Sequence, residues 1–395
     1  MVNGFDVDAT KQLNKIIQGA VQERIAPAVA LAVMQKGELL VDSVWGYLDP
    51  NAQAYPVTTS HYFDLASVTK LYTTVALLTL ITRDSQVLDT PLVDIIPEFG
   101  NKSPRSIDGG QDPHSKQRQD VHPEYAGQMI DPAQVTIFHL LTHTSGLPPW
   151  RDVYTVAPAL VPPTEEDPIS QSNRWRLAVE RLCNYAFVAP PDTGVRYSDI
   201  GLMLLGEVVA RLYGQSLDRA IANLVSSDVI FNPVKNGISQ AQTIPTEIDN
   251  TWRKRRVWGE VHDENACGVG GVAGHAGLFA NARMVAEFGQ RWLARDYAIS
   301  DNLYKEATTL QAQTGNEVRG LGWMLRSVNN SSAGDFFSAD SYGHTGFTGT
   351  SLWIDPQRQL VVALLTNRVY DGRAKIGIHA LRRAVHDAII TGIEA

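Results

Sequence analysis

Ser67-Val68-Thr69-Lys70 places a hydroxyl and an amine three residues apart, a spacing that puts both on one face of a helix. A serine hydroxyl is a weak nucleophile until a neighbouring base removes its proton. Lysine can be that base when neutral, and burial moves its pKa in that direction. The start of a helix adds backbone N–H groups and a positive dipole end, both suited to a developing oxyanion. About one such four-residue pattern arises by chance in a chain this long, and its plain alternative is a serine cap with a snorkelling lysine. The neighbouring residues weigh against that alternative. Val68, Leu71, Val75, Leu78, Leu80 and Ile81 make Ser67–Asp84 read as a helix apolar nearly all round. Such a helix belongs inside a protein and has little reason to bury a lysine near its start.

Two further groups could complete the chemistry. Tyr197-Ser198-Asp199 stands just before an apolar helical pattern, Ile200–Tyr213. Ser198 or Asp199 would cap that helix in the structural case. In the functional case Tyr197 is a second proton shuttle and Asp199 orients Lys70. His344-Thr345-Gly346 lies on a strand-like run, where a donor and a hydroxyl can face a site. His139 and His143 have the i, i+4 spacing of a zinc helix, but Leu140 stands where the glutamate of H-E-x-x-H is needed, so histidines satisfying helix-end carbonyls are the simpler account. No metal and no cofactor is called for.

The elements that must position these residues fall into three blocks. Asp6-Val7-Asp8 opens an amphipathic helix with Leu13, Ile16, Ile17 and Val21 on one side. Strand-like runs Val29–Gln35 and Glu38–Tyr47 are joined by Lys36-Gly37, a hairpin signal. Helical patterns then dominate through Ile137–His143, Trp175–Tyr185 and Ile200–Tyr213, the last closed by Gly214. After Gly268, strand-like runs return at Leu321–Arg326, Tyr342–Phe347, Thr350–Ile354 and Leu360–Thr366, followed by a helix over Arg373–Thr391. The expected fold is α/β (α+β). One antiparallel sheet is built from both termini and flanked by helices (1–80 and 256–395), with an inserted all-helical lobe (81–255). Within that lobe, residues 101–134 are polar and aperiodic, an insertion of the kind that borders a site. The site itself belongs between the two lobes.

Composition removes several classes of function. The 395 residues are 44% hydrophobic and 19% charged with a net charge of −8, which describes a globular protein with no basic field for nucleic acid. Cys183 and Cys267 are the two cysteines, too few for a disulfide framework and outside any metal spacing. No membrane span and no leader pattern is evident. The expected location is therefore cytoplasmic for the chain as it stands, or periplasmic or secreted if a leader was removed.

Taken with Phe63-Asp64-Leu65-Ala66 before Ser67, the run His139–Leu147, Gly274-His275-Ala276-Gly277-Leu278-Phe279 and Gly343–Gly349, these motifs resemble the serine β-lactamase and penicillin-binding-protein superfamily. They stand closest to its class C-like branch of DD-peptidases, esterases and cell-wall amidases. The resemblance implies Ser67 as the acylated nucleophile, Lys70 as its base and Tyr197 as the shuttle to the leaving group. It implies an oxyanion hole from the N–H groups of Ser67 and Phe347. His344, Thr345 and Gly346 would meet the substrate with Asp199, and His275 and Trp150 would add contacts. Asp199 stands where Asn is usual and adds a negative charge near Lys70. His344 replaces the commoner Lys. Both departures point away from an efficient β-lactamase. The expected activity is acyl transfer to water on a cell-wall-derived peptide or amide, with a carboxylesterase as the alternative, then a weak β-lactamase or a non-catalytic binder of cell-wall fragments. The expected partner is a small-molecule, peptide or ester substrate.

Overall fold

The computed structural model describes residues 7–112, 115–374 and 376–394. Helix α1 (Val7–Gln22) is followed by strands β1 (Ala28–Gln35), β2 (Glu38–Asp49) and β3 (Ala54–Pro56). Helices α2 (Thr69–Leu80), α3 (Ile137–Thr142), α4 (Gln171–Leu182), α5 (Asp199–Tyr213) and α6 (Ala282–Leu293) come next. Strands β4 (Ala312–Thr314), β5 (Glu317–Arg319), β6 (Met324–Leu325), β7 (Tyr342–Thr345), β8 (Ser351–Asp355) and β9 (Leu360–Thr366) precede the last helix, α7 (Ile378–Glu394). The nine strands form one sheet in the order β4-β5-β6-β7-β8-β9-β1-β2-β3, antiparallel throughout.

Alternation along the central strands sets the layers. On β1, Ala28, Ala30, Ala32 and Met34 face the larger core, whereas Val29, Leu31 and Val33 face the smaller one. Val361, Ala363 and Leu365 of β9 join the first set, and Leu360, Val362 and Leu364 the second. The alanines leave room for α6, and the branched residues meet α1 through Leu13 and Ile17 and α7 through Val385 and Ile389. Burial on both faces explains why β1 and β9 read as continuous apolar runs. The Lys36-Gly37 hairpin is in place, with Gln35 opposite Glu38 and both turn residues at positive φ.

α2 is the buried spine. Leu71, Tyr72, Val75, Ala76, Leu77 and Leu78 have no exposed surface, and the helix packs against α5. It is shorter than the expected Ser67–Asp84 at both ends. Ala66–Val68 forms a single 3-10 turn, and the helix stops at Leu80 because Asp84 caps a new turn by accepting from the Gln86 N–H. The expected strand Leu321–Arg326 pairs only through Met324 and Leu325. Gly322 is the cause. Its φ is +74°, and a Cβ there would lie 2.1 Å from Thr74 Oγ1 of α2, so the chain turns against the helix before the strand begins.

Residues 81–255 carry helices, among them Gln171–Leu182 and Asp199–Tyr213, but they are not all helical as expected: loops and turns make up most of the segment, and short ladders occur, Arg105–Ser106 with Met129–Ile130 among them. The aperiodic insertion therefore has pairing of its own. No helix among the described residues is long and apolar enough to cross a membrane.

Candidate active site

Ser67 owes its placement to the backbone before it. Ala66 has φ +46°, a costly value for a residue with a Cβ, and it persists because its surroundings hold it. The buried Asp64 carboxylate accepts from Ala66 N–H (2.8 Å) and from His262 N–H (2.6 Å). Thr348 and Thr350 donate their hydroxyls to the carbonyls of Asp64 and Leu65, both at 2.8 Å. These bonds tie the Ser67 turn to the turn that follows β7. Gly346 in that turn has no room for a side chain, since a Cβ would sit 2.1 Å from Thr350 Oγ1 and 2.6 Å from Leu65 O. Burial pushes the Asp64 carboxyl up, partly offset by the two N–H groups. Asp64→Asn exchanges one accepting oxygen for a donor that faces an N–H. The expected cost is about 1–3 kcal/mol, read from urea unfolding, with Ser67 less well held and acylation slowed.

Lys70 is 1% exposed and its Nζ lies 2.8 Å from Ser67 Oγ. The same nitrogen is 2.8 Å from Asp199 Oδ1, donates to the His275 carbonyl at 3.0 Å and sits 4.9 Å from the centre of the Tyr197 ring. Burial pulls the amine down, but the Asp199 carboxylate and Tyr197 outweigh it, so its pKa stands above the ordinary lysine value. Burial alone predicts a neutral lysine; the net effect is the opposite, and Lys70 rests as a cation. Tyr197 is also raised, by burial first, while Lys70 and a hydrogen bond with Ser67 hold it back.

Tyr197 is placed by the segment around α3. Ser198 caps α5 by accepting from Gly201 N–H (3.0 Å), donates its own hydroxyl to Pro148 O (2.7 Å) and gives its N–H to His143 Nδ1 (3.0 Å). His143 ends α3 in the left-handed conformation, with its ring 4.8 Å from that of Tyr197. His139 points elsewhere, accepting from Thr136 N–H and meeting Asp192 at 3.0 Å. The two histidines therefore share no site, and no group of three or more metal-ligating side chains occurs among the described residues.

Across the cleft, His344 is buried with Nδ1 2.8 Å from the Thr345 carbonyl, which makes Nδ1 the donor and leaves Nε2 as a lone pair without a partner. Burial, then Arg319 and Lys70, hold it neutral, well below the usual histidine range. Ser67, Tyr197, Asp199, Trp150, Thr345 and Phe347 line one cleft of about 490 Å³. His275 does not join them. Its ring turns to Asp263 (2.9 Å), its carbonyl holds Lys70, and Ala276 faces the cleft instead. His275 thus positions the lysine, contrary to the expected substrate contact.

Motif spacing does not disclose the rim. His262 stacks on Phe347 with ring centres 5.6 Å apart and meets Glu247 at 3.0 Å; Arg373 bridges Glu247 (2.6 Å) and Glu264 (2.7 Å). Lys116 of the insertion reaches the Tyr154 hydroxyl (3.2 Å) and lies over the Trp150 ring at 5.5 Å. Burial raises Glu247, but His262 and Arg373 more than offset it and bring it down to about 2. Its stabilising contribution is therefore complete above the ordinary glutamate value of ~4.3 and is lost as pH falls towards 2. Glu247→Gln is expected to flatten the fall of melting temperature between about pH 4.5 and 2, as followed by circular dichroism.

The family model described as Beta-lactamase matches residues 13–386. The chain belongs to the β-lactamase family. Relatives include a protein of Escherichia coli K12 named "Putative D-alanyl-D-alanine carboxypeptidase", 28% identical over 92% of this chain and 83% of its own. A protein of the same name from Salmonella agona is 27% identical over 92% and 84%. Among solved structures, EstCE1, a hydrolase with promiscuous acyltransferase activity, superposes with a TM-score of 0.68 at 17% identity, covering 96% of this chain and 98% of its own. A penicillin-binding-protein homologue of Caulobacter crescentus gives 0.66 at 17% identity over 99% and 100%. At such identities the structures establish the fold, a β-lactamase and penicillin-binding-protein fold, and this family member is a hydrolase of that kind. A larger cavity of about 610 Å³ lies in the helical lobe beside Trp175, Glu207 and Arg211, away from every residue of the cleft described above.

Proposed function

We propose that this β-lactamase-family hydrolase works through an acyl-enzyme on Ser67 and cleaves peptides of the acyl-D-alanyl-D-alanine type. The supporting observation is the single hydrogen-bonded set of Ser67, Lys70, Tyr197 and Asp199, with Lys70 Nζ 2.8 Å from both Ser67 Oγ and Asp199 Oδ1. In the first step Ser67 Oγ bonds to the substrate carbonyl carbon. Its proton passes to the Tyr197 oxygen as the Tyr197 proton moves to the leaving nitrogen, and the C–N bond breaks. Lys70 stays charged throughout and favours negative charge as it develops on Oγ. The N–H groups of Ser67 and Phe347 stabilise the carbonyl oxygen. In the second step water adds to the acyl carbon, its proton travels back through Tyr197 to Ser67 Oγ, and the acid is released.

The names of the Escherichia coli and Salmonella relatives support a carboxypeptidase, and the neutral His344 and the carboxylate side chain of Asp199 disfavour an efficient β-lactamase. The test is release of free D-alanine from an acyl-D-Ala-D-Ala peptide, run beside an activated ester. Release of D-alanine is the expected result. Ester cleavage with no D-alanine released would replace this reading by a carboxylesterase. The intact mass after incubation with a penicillin adds a second readout, since a covalent adduct is expected to form and to persist.

A further inference from the structure

Arg382, near the start of α7, is a buried cation to which the Ser67 chemistry gives no part. It is 7% exposed. Its Nη2 donates to two backbone carbonyls, Gly346 O at 2.9 Å and Thr350 O at 2.8 Å. Nε is buried without a hydrogen-bond partner, and among the described residues no carboxylate pairs with the guanidinium. Burial, then Arg368, pulls its pKa down to about 9, so it stays a cation at neutral pH. A charge taken out of water without an anion costs the fold free energy, and neutral carbonyls offset only part of that. The position of those carbonyls gives the charge a use. Gly346 O belongs to the same peptide group as the Phe347 N–H, the second oxyanion donor. That peptide is trans, so its C=O and N–H point in opposite directions. With the C=O drawn to Arg382, the N–H is turned away from it. The next carbonyls on either side are held in the same way, Thr345 O by His344 Nδ1 (2.8 Å) and Phe347 O by Arg368 Nε (2.7 Å). Gly346 is also pressed onto the turn that carries Ser67, since a Cβ there would lie 2.6 Å from Leu65 O and 3.2 Å from Ala66 Cβ.

We propose that Arg382 is a positioning residue of the oxyanion hole: through the Gly346 carbonyl it fixes and polarises the peptide whose N–H, on Phe347, receives the negative charge of the reacting carbonyl oxygen. A cation on the C=O of an amide draws electron density towards itself and makes the N–H of that amide a stronger donor. Its charge also favours an anion forming on the far side of the peptide, in a site where water screens little. Arg382 touches no reacting atom in this role, which sets it apart from Ser67 and Tyr197. The assignment rests on the acyl-enzyme reading and deepens it, and it holds whether the acyl group arrives as a peptide or as an ester.

The deciding experiment uses two activated esters with the same acyl and leaving groups, one carrying C=O and the other C=S at the reacting carbon. Sulfur is a weak acceptor, so the hole serves the thiono ester poorly, and the parent is expected to favour the oxo ester by ~100-fold or more in kcat/KM. In Arg382→Met, which keeps the length of the side chain but neither charge nor donors, that ratio falls by ~10-fold, because the oxo ester is the one that slows. Arg382→Lys restores the charge and recovers part of the ratio. A residue that only braced the turn against α7 would slow both esters alike, and an unchanged ratio overturns the proposal. Should Arg382→Met fail to fold, Arg382→Gln keeps one neutral donor for the carbonyls, and the same fall or its absence decides. A parent ratio near one also overturns the role of Arg382 while leaving a Ser67-dependent hydrolase in place. Cleavage of the oxo ester undiminished in Ser67→Ala would instead overturn the acyl-enzyme reading beneath it.

Discussion

Ser67→Ala lowers turnover by at least ~10⁴-fold and leaves no covalent adduct after incubation with a penicillin, while the melting temperature stays within a degree or two of the parent. The size follows from the mechanism: without Oγ no acyl-enzyme forms, and the residual rate is what binding and the oxyanion donors give a direct attack by water. The unchanged stability follows from the structure. The turn around Ser67 is held by Asp64, Thr348 and Thr350 through backbone groups, and alanine presents the same backbone. Removing Oγ leaves Lys70 with Asp199 and the His275 carbonyl as partners, so no buried charge is orphaned. Lys70→Ala differs on that point. It strips the Asp199 carboxylate of its ion partner, and a loss of stability should accompany the loss of rate. Adduct formation in Ser67→Ala, detected by intact mass and mapped by peptide digestion, would move the nucleophile to another residue.

How much of this is legible in the sequence depends on whether the governing interaction is local. Leu360–Thr366 has the bounds expected of it, because a run buried on both faces and ended by turn residues reads the same in one dimension as in three. Gly214 ends α5 at φ +75° as a C-terminal glycine should. Ser67, Lys70, Tyr197 and His344 follow from motif chemistry; Ser67, Tyr197 and His344 line one cleft, and Lys70 is buried behind Ser67 and bonded to it. The failures are non-local. The 3-10 turn at Ser67 depends on Asp64, whose carboxylate reaches a backbone N–H 198 positions away. His275 orients Lys70 because Asp263 captures its ring. Arg319 carries no motif at all; two ladder pairings deliver it to the site. The charge on Lys70 is a contest between burial and Asp199, and sequence supplies the two contestants but not the distance that decides between them.

That contest gives the second large effect. Asp199→Asn keeps the shape and removes the anion 2.8 Å from Lys70 Nζ. Burial, the largest single influence on this amine and a downward one, then prevails. In the parent the folded state holds the Lys70 proton more tightly than the unfolded chain does. While Asp199 is ionised, the pair therefore stabilises the fold below the ordinary lysine value of ~10.4, and on the alkaline side that contribution disappears as pH rises through the higher folded value. In the variant the folded amine binds its proton less tightly than the unfolded chain. Stability is then lost at neutral pH and is partly regained as pH rises and the amine discharges. Activity separates the two roles open to the lysine. If the cation is what favours negative charge on Ser67 Oγ, the alkaline limb of kcat/KM, which lies high in the parent, moves down by at least about one pH unit in Asp199→Asn. A rate that climbs with pH over the same range would show that the neutral amine takes the serine proton itself. Tyr197, whose hydroxyl is raised by burial in the parent, would then serve the leaving group alone.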